Sequence, residues 1–177
     1  MGLLPPIDPE LPTSPKRSPY AVTLLDVVMR FSTSPERRSV LTGFLNYRAA
    51  LHKIGICEGF QWLDGSFLED VEVLERRAPR DMDVVTFMHS PANFSTVDLT
   101  ALDRDSAKAL FQVDAYFVEL DEVPPDSLVH QSAYWYSMWS HRRNQAWKGF
   151  LRIDLAANDD KQAAEWLANF DVAEVQS

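Results

Sequence analysis

The run Asp81 to Phe87 (DMDVVTF) constrains this chain more than any other stretch of similar length. Its β-branched and aromatic residues favour extended backbone. Side chains two apart in a strand share a face, so Asp81 and Asp83 point the same way, with the apolar Val85 and Phe87 on that face. Val84 lies on the other face, so the strand is apolar on both sides, as a central strand in a covered sheet is. Two carboxylates at the end of such a strand repel one another and need a cation or solvent there.

The rest of the chain surrounds this strand with both kinds of element. Phe60 to Leu63 reads as a short strand ending at Gly65-Ser66, and Phe111 to Leu120 (FQVDAYFVEL) as a third strand. Trp147 to Leu155 (WKGFLRIDL) alternates, with Trp147, Leu151, Ile153 and Leu155 on one face and Lys148, Arg152 and Asp154 on the other. Ser34, Pro35 and Glu36 mark a helix start, as N-cap, first helical residue and acid at the positive end. Val40, Leu41, Phe44, Leu45, Arg48 and Leu51 then recur at helical spacing, and Gly55 gives the stop. Asp126 to Ser140 carries a helical stripe of Leu128, Ser132, Trp135 and Trp139. Asn158 is the expected cap of a last helix with Ala163, Trp166, Leu167 and Phe170 inside. Tyr20 to Arg30 reads as either a strand or a helical segment. The expected class is α+β, a mixed β-sheet flanked by helices.

Six of the eleven prolines fall in the first twenty residues. Proline fixes φ and lacks a donor, so residues 1–20 form an extended arm, and Leu3, Leu4, Ile7 and Leu11 give it something to bury against a single domain over residues 21–177. No apolar run approaches the ~18–20 residues of a membrane span, and no signal pattern opens the chain. A lone cysteine, Cys57, rules out an internal disulfide framework and a cysteine-based zinc cluster, which places the expected compartment in a reducing cytoplasm. The net charge of −9 argues against a non-specific nucleic-acid coat, and no non-specific DNA binding is expected, though a small basic pocket is compatible with it.

Asp114 stands between Val113 and Ala115 in the third strand. With Asp81 and Asp83 it makes three carboxylates on neighbouring strands, a hard-oxygen set suited to Mg²⁺. Gly65-Ser66 precedes them. A glycine there lets backbone come close to a phosphate, and a following helix start offers free N–H groups. Ser66 and Glu69 also match a capping box, compatible with that role.

Gly65-Ser66, Asp81-Met82-Asp83 and Asp114 together resemble the signature of the polymerase-β-type nucleotidyltransferase superfamily, especially its minimal bacterial members, over roughly residues 36–120. The fuller pattern PRDMDVV, VDAYFVEL and SHRRNQAWKGFLRIDL is similar to that of an uncharacterised bacterial family placed in this superfamily. The resemblance implies a nucleotidyltransferase-like fold and transfer of a nucleoside monophosphate from an NTP to an acceptor hydroxyl. Gly65 and Ser66 would meet the triphosphate. Asp81 and Asp83 would bind Mg²⁺, with Asp114 as third carboxylate and base. It also implies a place in a toxin–antitoxin or phage-defence module, with a protein, RNA or small molecule as acceptor. The interval from Ser66 to Asp81 is longer than in the most compact members.

The densest basic patch is Ser140-His141-Arg142-Arg143, with Lys148 and Arg152 nearby, and it sits among Tyr134, Trp135, Tyr136, Trp139 and Trp147. Arg142, Arg143 and Lys148 are the candidates for holding nucleotide phosphates, with an aromatic ring available to stack on a base. The alternative is that the rings are core and the arginines pair with acids. At the level of function, the competing reading is a catalytically inactive module of the same fold that senses nucleotide or binds a protein partner or a second copy.

Overall fold

A computed structural model describes residues 2–92, 94, 100–121 and 123–175, with side chains through Phe170. Five strands, β1 (Tyr20–Ala21), β2 (Gly59–Asp64), β3 (Met82–Met88), β4 (Val113–Glu119) and β5 (Leu151–Asp154), form one sheet in the order β1-β5-β2-β3-β4. The sheet is mixed: β1 runs parallel to β5 and β3 parallel to β4, whereas β2 is antiparallel to both of its neighbours. The helices are α1 (Leu24–Phe31), α2 (Pro35–Lys53), α3 (Val71–Glu75), α4 (Arg104–Phe111), α5 (Pro125–Trp139) and α6 (Asp160–Val175). The α+β class and the helix-flanked mixed sheet expected from sequence are therefore present. None of the described helices is long and apolar enough to cross a membrane.

The expected central strand, β3, has neighbours on both sides and buries Val84, Val85 and Phe87. Its two faces meet different helices. Gln61 of β2 lies opposite Thr86, and there α2 packs, with Arg48 bonding to Gln61 through Nη1 at 2.7 Å. The other face carries the row Trp62, Val85 and Tyr116, and α5 lays Trp135 on Tyr116 with ring centroids 4.7 Å apart. Helix α2 starts where its signals place it: the Ser34 hydroxyl accepts the Arg37 N–H, and Pro35 is the first helical residue. Tyr20 to Arg30 divides into both elements it could form, two residues of β1 and then α1, which a reciprocal Thr23–Asp26 capping box opens.

Four local expectations are corrected. Phe111 ends a helix, α4, and β4 starts only at Val113, because Asp103 caps a turn that sequence patterning left unassigned. The last helix starts at Asp160, with the Asp159 carbonyl accepting from Ala163, so the cap lies one residue beyond Asn158. The alternation through Trp147 fails before Leu151: Trp147 is 66% exposed and Lys148 only 5%, the reverse of the expected faces. An isolated bridge between His141 and Trp147 closes a loop there, and the Lys148 ammonium turns inward to bind a buried carboxylate. Finally, Ser66 is the first residue of a short 3₁₀ turn with no side-chain cap, and Glu69 is drawn into ion pairs, so the Ser66–Glu69 capping box does not form.

The proline-rich arm lies on the domain through backbone hydrogen bonds. Gly149 donates to the Leu4 carbonyl and Asp70 to that of Gly2, both at 2.7 Å. Leu4 packs against the core, whereas Leu11 is exposed.

Candidate active site

Strand register brings the carboxylates together. Asp64, the last residue of β2, is opposite Asp83 of β3, which is in turn opposite Asp114 of β4. Residues paired across a sheet project to the same face, so three acids line up side by side, with Asp81 two residues before Asp83 on the same side. They sit in a cleft of about 700 Å³ that also takes in Gly65, Ser66, Glu69, Arg142 and Arg143.

Each acid meets a different environment. Asp64 is buried and accepts both bonds of the Lys148 ammonium, at 2.8 and 2.9 Å; burial raises its carboxyl to about 7 against the pull of that lysine. Asp114 accepts Arg104 Nε at 2.5 Å and Nη2 at 3.0 Å, and this fork is the main reason its carboxyl lies below the usual range. Lys108 bridges two acids, 2.7 Å from Asp81 and 3.2 Å from Asp114. Asp83 has no ion pair among the described residues. Burial first, then the charges of Asp81 and Asp114, push its carboxyl up to about 6.

Gly65 makes the turn that closes on Asp83. Its φ of 89° and ψ of −176° belong to a region that is essentially glycine-only. A Cβ there would come within 2.8 Å of the Asp83 carboxylate. The turn is held from behind by Arg37 of α2, whose guanidinium donates to the carbonyls of Phe67 and Glu69 and to both oxygens of Glu72. Ser66, one of the residues lining the cleft, thus sits on a braced backbone.

The structure brings all eight predicted residues, Gly65, Ser66, Asp81, Asp83, Asp114, Arg142, Arg143 and Lys148, to one cleft. It does not leave all of the cations free. Lys148 binds Asp64 and also Glu69, at 3.2 Å. Arg142 binds Glu69 at 2.9 Å and also Glu75. Arg143 and His141 are exposed on the rim. Of the aromatics, Trp135 and Trp139 are core, while Trp147 is exposed.

Sequence reasoning missed Asp64, Glu69, Arg104 and Lys108. Asp64 carried one usable signal, since an acid ending a strand next to Gly65 belongs to the same turn. Arg104 and Lys108 carried another, being four apart and hence on one side of a helix.

The donor chemistry suits a hard divalent cation: carboxylate oxygens from Asp81, Asp83 and Asp114, with Asp83 in no ion pair among the described residues and the Gly65 backbone close beside it. Among the described residues no three such groups converge as a ready-made metal cage. The Lys108 ammonium stands between two of these acids, Asp81 and Asp114.

No curated protein and no solved structure matches the chain. A model for a family of unknown function, DUF6932, matches residues 1–154, and the chain belongs to that family.

Proposed function

We propose that the cleft transfers a nucleoside monophosphate from an NTP to an acceptor hydroxyl. The observation that carries this reading is the row Asp64–Asp83–Asp114 across three strands, with the Gly65 turn against its middle member. Asp81, Asp83 and Asp114 would hold Mg²⁺, which when bound would neutralise phosphate charge and make the acceptor hydroxyl more acidic. The backbone around Gly65 and Ser66 would accommodate the triphosphate, and Arg143 on the rim would pair with its oxygens. Asp64, tied to Lys148, positions that turn rather than meeting the ligand. The acceptor oxygen bonds to the α-phosphorus, the bond to pyrophosphate breaks, and a carboxylate of the row takes the proton. Rate enhancement would come mainly from in-line placement and charge compensation.

One observation favours the sensor reading. Lys108, Arg104, Arg142 and Lys148 are already paired with acids of the same cleft, which suits a protein that binds nucleotide without turnover.

Calorimetric titration of each NTP with Mg²⁺, into the wild type and an Asp81→Ala/Asp83→Ala double variant, tests the site. Mg²⁺-dependent binding should occur in the wild type and vanish in the variant. Pyrophosphate release under the same conditions separates an enzyme from a sensor. Failure of every NTP to bind the wild type would overturn both.

A further inference from the structure

Helix α4 brings two cations to the carboxylate row. Arg104 and Lys108 are four residues apart and project from one side of it. Arg104 stands in the first turn, where helix electrostatics favour acids instead. The bonds from Arg104 to Asp114, with its guanidinium also over the Tyr116 ring at 5.2 Å, account for an arginine at that end.

We propose that Lys108 is a tethered counter-ion, bridging Asp81 and Asp114 until a divalent cation displaces it and then pairing with the phosphates of the incoming ligand. This inference rests on the metal-dependent reading of the cleft given above.

The geometry supports displacement. The ammonium lies 2.7 Å from Asp81 and 3.2 Å from Asp114, the two acids a divalent cation would have to share with Asp83. The Lys108 side chain is 48% exposed, so leaving the acids does not bury its charge elsewhere. Helix α4 is packed closely on α2 at its C-terminal end, where Gly43 abuts the Phe111 carbonyl with no room even for a Cβ. The movement needed is a swing of the Lys108 side chain alone.

Charge sets the order of events. Asp81, Asp83 and Asp114 against Arg104 and Lys108 leave a single net negative charge. A divalent cation reverses the sign of this group of five to one net positive charge, the displaced ammonium included. Cation first and polyphosphate second is the sequence this electrostatics favours.

The test is calorimetric titration of Mg²⁺ alone, followed by inorganic triphosphate at saturating Mg²⁺. Wild type, Lys108→Met, Lys108→Gln and Lys161→Met are compared, the last being an exposed lysine of α6. Both Lys108 variants should bind Mg²⁺ about five- to tenfold more tightly, as expected when a half-exposed competing ion pair is removed. They should bind triphosphate about tenfold more weakly, and Lys161→Met should behave as wild type. Wild type binding Mg²⁺ while the Lys108 variants bind it no more tightly would overturn the counter-ion role and leave the metal site standing. Tighter Mg²⁺ with unchanged triphosphate affinity would overturn the transfer of Lys108 to phosphate. No Mg²⁺ binding by any of the four would overturn the metal reading itself, and the inference with it.

Discussion

Asp83 carries a charge that no cation in the described structure pairs with directly. Its folded carboxyl titrates near 6 against an ordinary value of 3.8, so the folded protein holds that proton more tightly than the unfolded chain does. Ionising Asp83 therefore weakens the fold. The penalty is absent below the unfolded value, grows as pH rises between the two, and is complete above the folded one. Asp83→Asn should match wild type in stability near pH 4 and exceed it by about 1–2 kcal/mol near pH 8, as read by urea denaturation at both pH values in chelator. A gain that does not depend on pH would contradict the electrostatic origin. At this scale three of the four acids were legible, because Asp83 and Asp114 interrupt apolar runs and Asp81 stands two residues before Asp83. Asp64 was not. Its meaning depends on Lys148, which lies 84 residues away in sequence.

Among the elements, α4 was the least visible from sequence and has the largest effect on the cleft. It is eight residues long and buries only Ala107 fully, too little apolar pattern to announce a helix. Its position depends on Gly43, because any Cβ there would collide with the Phe111 carbonyl. Gly43→Ala should lower stability by about 1–3 kcal/mol, since close-packed backbone can make room only by shifting. The same substitution should loosen Arg104 and Lys108 from the acids, which faster amide exchange over residues 104–111 would reveal. Unchanged exchange would mean that α2 does not set the place of α4. The segment before β5 shows the opposite failure, a pattern that looked like a strand. Regular alternation continues only while both faces find their own partners, and the buried Asp64 and Glu69 turn Lys148 inward instead.

Across the whole molecule, Arg48 joins elements that are far apart in the chain. Fully buried, it holds the Asp160 carboxylate, the Gln61 side chain and the carbonyls of Asp154, Leu155 and Ala156. It thus fastens α2 to β2 and to the connection between β5 and α6. Arg48→Met should lower unfolding stability by about 3–5 kcal/mol, because it strands buried acceptors and a half-buried acid. Thermal melting of the variant should show a cooperative transition at lower temperature, while a loss under 1 kcal/mol would mean that solvent takes over the arginine's bonds. From sequence, Arg48 was placed correctly on the inner stripe of α2, yet its partners lie more than a hundred residues further on, apart from Gln61.

Local pattern alone determined the class of fold, the interior strand β3, the start of α2 and the acids at the strand ends, since each depends on periodicity, capping or composition within a few residues. Tertiary structure decided what those acids face. Strand order set Asp64 beside Asp83 and Asp114, and the packing of α4 and of the loop closed by His141 and Trp147 supplied the cations. Electrostatics acts through space between residues the chain separates widely, so the charge balance of this cleft is a property of the fold and not of any segment in it.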